Sequence, residues 1–215
     1  MIHELSHHNS VFNQFLLELR DVNIQKDRAR FRNNLRRIGQ IMAYEISKHI
    51  QFHQVSVTTP LGETEMSVPV EPPVLCTILR AGLPFHQGFL DFFDQSDCAF
   101  VTAYRRHHKG GDFEIEVDYV GSPNLDGKQV IIADPMIATG SSIEVVYKRL
   151  LAKGIPARVH IASVICSDTG INHVRSKMPE GTTYWTGAVD KELTAQSYIV
   201  PGLGDAGDLA FGRKD

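Results

Sequence analysis

The sequence has no C-x-x-C pair, no run of about 18 consecutive apolar residues, no lysine in a Walker-type loop and no marked excess of either charge. Each absence removes a class of protein. The three cysteines, Cys76, Cys98 and Cys166, include two in apolar runs, where a buried and reduced thiol is the ordinary state, as in a cytoplasmic protein. A net charge of -3 gives no global attraction to nucleic acid or anionic lipid, so any polyanion site must be local. That favours a small phosphorylated ligand over a duplex. Met1 to Arg20 lacks a basic segment followed by an unbroken apolar stretch, so neither export nor membrane spanning is expected. With 215 residues and 42% apolar content, the chain can bury one sizeable core and is read as a single domain over 1–215.

Hydrophobic spacing then organises that domain. Phe12, Phe15, Leu16 and Leu19, followed by Phe31, Leu35, Ile38 and Met42, give two amphipathic helices within residues 1–50, a helical arm. Val55 and Val57, a Pro60-Leu61-Gly62 turn, and Met66, Val68 and Val70 predict a hairpin with one covered face. From Val74 the pattern changes. Val74–Leu79, Ala99–Ala103, Val130–Ala133 and Val159–Ile165 are short β-branched runs with little alternation, as in parallel strands covered on both faces. A helix is predicted from Ser142 to Lys153, with Gly154 as its stop. Phe113, Ile115, Val117 and Tyr119 alternate with acidic residues, which predicts an edge strand or a projecting ribbon. The fold class is α/β, with an open, mainly parallel sheet flanked by helices.

Chemistry concentrates at strand ends. "ADPMIATGSS" puts Asp134 at the carboxyl end of a buried strand and runs through Pro135, Met136, Ile137, Ala138, Thr139, Gly140 and Ser141 to Ser142 at a helix start. Open α/β sheets bind ligands at that end. Small hydroxylic residues opening into a helix offer backbone N–H groups, hydroxyls and the positive end of the helix dipole to one phosphate. Asp134 would repel that phosphate, so its uses are to accept hydrogen bonds from sugar hydroxyls or to face a developing positive charge. A bland alternative stands beside this one: D-P ends a strand and T-G-S-S caps a helix. Arg80, in "TILRAG", and Arg105, in "AYRRHH", each follow a buried strand and suit a diphosphate, although a lone arginine is commonly a solvated surface charge. Gly202, Gly204 and Gly207 form G-x-G-x-x-G near the end of the sequence, but the strand–helix context that a dinucleotide site requires does not follow. His107 and His108 have no partner ligands at metal-site spacing, and the six cations from Lys26 to Arg37 are read as a solvated helix face or a subunit contact.

Together "TILRAG", Tyr104-Arg105, "ADPMIATGSS" and "YIVPGLGDAGDLAFG" closely resemble uracil phosphoribosyltransferases, members of the type I phosphoribosyltransferase fold, over nearly the whole chain. The resemblance implies a core for 5-phosphoribosyl 1-diphosphate (PRPP) over 70–170 and a C-terminal base-binding hood over 180–215. Asp134, Pro135, Met136, Ile137, Ala138, Thr139, Gly140, Ser141 and Ser142 would then hold the 5-phosphate and ribose, with Asp205 facing PRPP. Arg80 and Arg105 would hold the diphosphate, and with Asp134 would form the catalytic set. Ile199, Gly204, Asp205 and Ala206 would contact uracil. Pro135 fits the uracil branch, since the wider fold usually has two adjacent acidic residues there. Backbone groups freed by glycine can complement the acceptor, donor and acceptor along one edge of uracil. The implied reaction gives UMP and pyrophosphate, with Mg²⁺ held mainly through PRPP oxygens and no dedicated protein cage.

The segment "RHHKGGDFEIEVDYVGSPNLDGK" departs from the family's usual P-Y-Y-x-K-L-P-like stretch. The resemblance also brings GTP as a candidate effector and a homodimer or higher homo-oligomer as the expected assembly, with neither nucleic acid nor membrane as partner. Two rivals remain at this point. One is an RNA-binding regulator on the same fold; the other is a transferase for orotate or a purine.

Overall fold

The structure, a computed structural model, describes residues 1–107 and 113–213, and only the backbone of Arg105–His107 and Phe113–Ile115. His108 and the Gly-Gly at 110 and 111 lie outside the described residues, as do the side chains of Arg105 and His107. Twelve strands are described: β1 (Ile2–Glu4), β2 (Phe52–Thr59), β3 (Gly62–Pro69), β4 (Val74–Leu79), β5 (Cys98–His107), β6 (Phe113–Gly121), β7 (Gln129–Ala133), β8 (Met136–Ile137), β9 (Arg158–Ser167), β10 (Thr183–Asp190), β11 (Glu192–Leu193) and β12 (Ile199–Val200). The helices are α1 (Val11–Arg20), α2 (Arg28–Ser47), α3 (Gly82–Leu90), α4 (Ser141–Leu150), α5 (Asp168–Lys177) and α6 (Ala206–Phe211).

An 8-stranded sheet forms the centre, in the order β1-β10-β9-β7-β4-β5-β6, with β8 pairing β9. Every pairing in it is parallel except β5 with β6, which places the acidic alternating strand at one edge. The four β-branched runs are β4, β5, β7 and β9, and successive residues along them serve opposite cores. Leu75 and Ile131 face α1, α2 and α3 through Phe12, Leu35, Met42 and Phe85. Val74, Cys76 and Ile132 face α4 and α5 through Ile143, Val146 and Val174. Two covered faces leave no polar side for these strands to show, which is why their sequences barely alternate.

Local signals set the helix ends. Ser10 Oγ accepts from Phe12 N–H at 3.2 Å to start α1, and Asp27 Oδ1 accepts from Arg30 N–H at 3.0 Å to start α2. The helix predicted from Ser142 begins at Ser141, and its last turn tightens into a 3-10 segment, Leu151–Lys153, before Gly154.

The hairpin β2–β3 corrects one expectation. Its register is as the turn dictates, with Val55 opposite Met66, but neither face is covered: only Val55 and Val68 are even part-buried. Its alternation reflects pairing across the two strands, not burial against the body. No helix among the described residues is long and apolar enough to cross a membrane.

Candidate active site

A cavity of about 750 Å³ opens at the carboxyl ends of β4, β5 and β7. Ile78, Leu79, Arg80 and Ala81 line it from the end of β4, Ala103 and Tyr104 from β5, and Asp134, Pro135, Met136, Ala138 and Ser142 from the loop after β7. Gln196, Ser197 and Tyr198, then Gly204, Asp205, Ala206 and Gly207, close it from the tail. The strand-tip loop and the terminal glycine motif, more than sixty positions apart in the chain, therefore border one space.

The loop after β7 is fastened to the neighbouring strand by backbone groups. Asp134 N–H donates to Ala162 O at 3.0 Å, and Pro135 O accepts from Val164 and Ile165 N–H at 3.0 and 3.1 Å. Ala138 O accepts from Ser167 Oγ at 2.5 Å, and the same hydroxyl accepts from Gly170 N–H at 2.8 Å, so one serine ties the loop to the start of α5. Gly140 sits at φ +81°, and a Cβ there would stand 2.7 Å from Gly170 O and 2.8 Å from Val174 Cγ2. Only glycine allows that turn into α4. Thr139 Oγ1 bonds Ser141 Oγ at 3.1 Å and accepts from Ser141 N–H at 3.4 Å, which preforms a concave run of small groups.

Asp134 is the electrostatic centre of the loop. Burial pushes its carboxyl up to about 7, opposed only by a long bond from Met136 N–H to Oδ1 at 3.5 Å. Across from it stands Arg80, which follows a cis Leu79–Arg80 peptide. Its Nη2 donates to Asp208 Oδ1 at 3.2 Å and its Nη1 to Gly212 O at 3.3 Å. Its Nε is buried without an acceptor among the described residues, a donor suited to a ligand oxygen.

The tail is assembled from very short pieces. β11 and β12 pair antiparallel, and Asp205 Oδ1 accepts from Asp208 N–H at 2.9 Å to start α6. Ala206 opens that helix, whose first N–H groups have no helical acceptor by geometry. Ser197, at φ +63°, lies in the preceding turn. Tyr104 Oη donates toward Glu116 Oε2 at 3.0 Å and Asp118 Oδ1 at 3.3 Å, which keeps its ring at the rim.

Of the residues singled out from sequence, the cavity brings together Arg80, Asp134, Pro135, Met136, Ala138, Ser142, Gly204, Asp205 and Ala206. Thr139, Gly140 and Ser141 form the turn between Ala138 and Ser142, while Ile137 is 1% exposed and packs in the core below α4 and α5. Ile199 is 4% exposed and belongs to the other core, so its side chain faces away from the cavity lining. Arg105 lies in β5, with its side chain outside the described residues. Sequence reasoning missed Gln196, Ser197, Tyr198 and Asp208. Tyr198 opens the glycine motif and had a signal; Gln196 and Ser197 had none.

The six cations from Lys26 to Arg37 include four arginines with partners in the fold. Arg30 pairs with Glu18 at 2.7 Å and Arg36 with Asp91 at 2.6 Å, Arg32 Nη1 donates to Ala210 O at 2.7 Å, and Arg37 Nη1 donates to Asn34 Oδ1 at 3.0 Å.

Comparison with known proteins places the chain among relatives of one fold and family. The solved structure of AQ2163 protein from Aquifex aeolicus superposes with a TM-score of 0.87 at 30% identity, covering 99% of this chain and 98% of that one. A hypoxanthine phosphoribosyltransferase from Staphylococcus aureus, 15% identical with a TM-score of 0.50 over 74% of each chain, shares the fold alone. A uracil phosphoribosyltransferase of Porphyromonas gingivalis is 54% identical over 206 residues, 96% of this chain and 95% of its own length. One of Pyrococcus furiosus is 39% identical over 203 residues, 93% of this chain and 85% of its own. The family model described as uracil phosphoribosyltransferase matches residues 6–213, and with it the chain belongs to the uracil phosphoribosyltransferase family.

Proposed function

We propose that the chain transfers the 5-phosphoribosyl group of PRPP to uracil, giving UMP and pyrophosphate. The observation that supports this most is the shared cavity: a phosphate-friendly turn, a carboxylate, an arginine and a glycine-rich backbone edge all border one space. In the reaction the bond from the anomeric carbon to the diphosphate oxygen breaks, a bond to uracil N1 forms, and the N1 proton leaves. Positive charge grows on the ribose ring while the leaving group gains negative charge.

Each residue then has a task. The Thr139–Ser142 turn takes the 5-phosphate with N–H groups at the start of α4. Asp134 accepts from ribose hydroxyls and, once ionised, faces the growing positive charge. Arg80 offers its unpaired Nε to the diphosphate. Gly204, Asp205 and Ala206 present backbone to the uracil edge, so the base is read by main-chain groups that need only be held in place. No covalent nucleophile is required, and positioning supplies much of the acceleration.

Magnesium is compatible with this site through its ligand: the described residues form no cluster of three or more metal-ligating side chains, and a diphosphate would supply the hard oxygens the ion prefers, with Asp134 and Asp205 on the cavity lining. Bound there, the ion would neutralise charge on the leaving diphosphate. Incubating the purified protein with Mg²⁺, PRPP and, separately, uracil, cytosine, orotate and hypoxanthine tests the reading. UMP from uracil alone is the expected result; a nucleotide from another base with none from uracil would overturn it.

A further inference from the structure

Arg20 ends α1 and Asp190 ends β10, and the two meet across 170 positions of sequence. Arg20 Nη1 donates to Asp190 Oδ2 at 2.8 Å and Nη2 to Oδ1 at 3.0 Å, with the side chains 23% and 8% exposed. The same two groups grip a single residue of the tail. Gly202 N–H donates to Asp190 Oδ2 at 3.0 Å, and Gly202 O accepts from Arg20 Nη1 at 3.1 Å. Both backbone polar groups of Gly202 are thus bonded to one part-buried ion pair.

Only glycine fits this bracket. Gly202 lies at φ +59°, and an added Cβ would run into the carbonyl oxygen of Ile199. Two residues on, Gly204 borders the cavity. Gln25, in the connection from α1 to α2, donates to the carbonyls of Leu19 and Arg20 at 3.2 and 3.0 Å. Its Oε1 lies 3.9 Å from where a Cβ of Gly204 would stand. The end of α1 therefore meets the tail both at the bracket and beside Gly204.

A part-buried ion pair is a weak source of stability, because desolvation and solvent screening offset most of the attraction. Four hydrogen bonds converging on one pair and one glycine do, however, fix a backbone position to the tolerance that recognition by main-chain groups requires. We propose that Arg20 and Asp190 are positioning residues that set the depth and angle at which the Gly204–Ala206 backbone meets the base. They touch no substrate themselves. This rests on the reading of that backbone as the uracil edge.

Steady-state kinetics of the full chain test it with R20K, which keeps the charge but cannot make the forked contact, and with R20M/D190N, which removes both charges together. In both, the KM for uracil is expected to rise about tenfold or more while the KM for PRPP stays within about twofold, because only the base edge is displaced. A parallel rise in both KM values, or a lower melting temperature with an unchanged uracil KM, would overturn the proposal and leave a structural pair. UMP formation by the wild type, run alongside, tests the function separately: an inactive wild type sinks the uracil reading itself. Amide exchange of the wild type needs no variant to fold. Gly202 N–H is expected to be strongly protected without ligand, and fast exchange there contradicts the bracket.

Discussion

The loop from Asp134 to Ser142 and the tail from Glu192 to Gly212 border the same cavity but are held by different means. The first leaves one sheet strand, pairs β8 with the next through Met136 and Ile165, and enters a 10-residue helix, with anchors on β9 from Asp134 to Ala138. The second has two 2-residue strands and a 6-residue helix, and long cationic side chains from elsewhere hold it: Arg20 at Gly202, Arg32 at Ala210 and Arg80 at Asp208 and Gly212. A cradle built by the sheet is preformed and hard to move. The hood has little regular structure of its own: Ile199, Leu203, Ala206 and Ala210 seat it on the core, and a few guanidinium groups fix where its backbone meets the cavity.

The largest expected effect belongs to the cradle. Asp134→Asn should lower turnover by about 100-fold or more, since a preorganised charge opposite the reacting centre is lost. The same change should not weaken the fold. Burial holds the carboxyl near 7 in the folded chain against its ordinary 3.8, so its contribution to stability is complete below about pH 4 and is lost as pH rises through 7. At pH 8 the variant should melt above the wild type, and at pH 4 the two should coincide. A variant less stable than wild type at pH 8 would mean that the charge is compensated in the folded chain.

Arg80 belongs to both regions. Arg80→Lys should raise the KM for PRPP about tenfold through loss of forked donors, and should raise that for uracil as well, because the ties to Asp208 and Gly212 go with it. An effect on PRPP alone would separate the regions more completely than the contacts suggest. Gly140→Ala should cost about 1–3 kcal/mol by thermal or urea unfolding, since the left-handed turn and the close approach of Gly170 O both resist a side chain. The smallest effect is expected at the far end of the hood. Arg32→Met gives up one hydrogen bond to Ala210 O, worth about 1 kcal/mol, and should raise the uracil KM only severalfold with PRPP unchanged.

The same contrast explains what was legible in the sequence. The covered strands β4, β5, β7 and β9 and the turn into α4 announce themselves because their causes are local: β-branched runs, a strand-ending Asp134, small residues before a helix. Strands β1 and β10 escaped notice, since Ile2–Glu4 is three residues long and acquires meaning only when Ile2 pairs with Tyr184. The hood was readable as a motif but not as a structure. Nothing near Gly202 in the chain says that Arg20 will hold its carbonyl, and Asp208 reads as one more acidic residue until Arg80 reaches it. Ile199 shows the reverse case, in which a residue of the motif turns its side chain into the core.

The most direct measurement is a crystal structure of the protein with UMP, the product that spans both regions. The account expects the phosphate against the Thr139–Ser142 turn, the ribose beside Asp134, and the edge of the base along the backbone of Gly204 and Ala206. A base bound away from Gly204, or a phosphate held anywhere other than the start of α4, would contradict it.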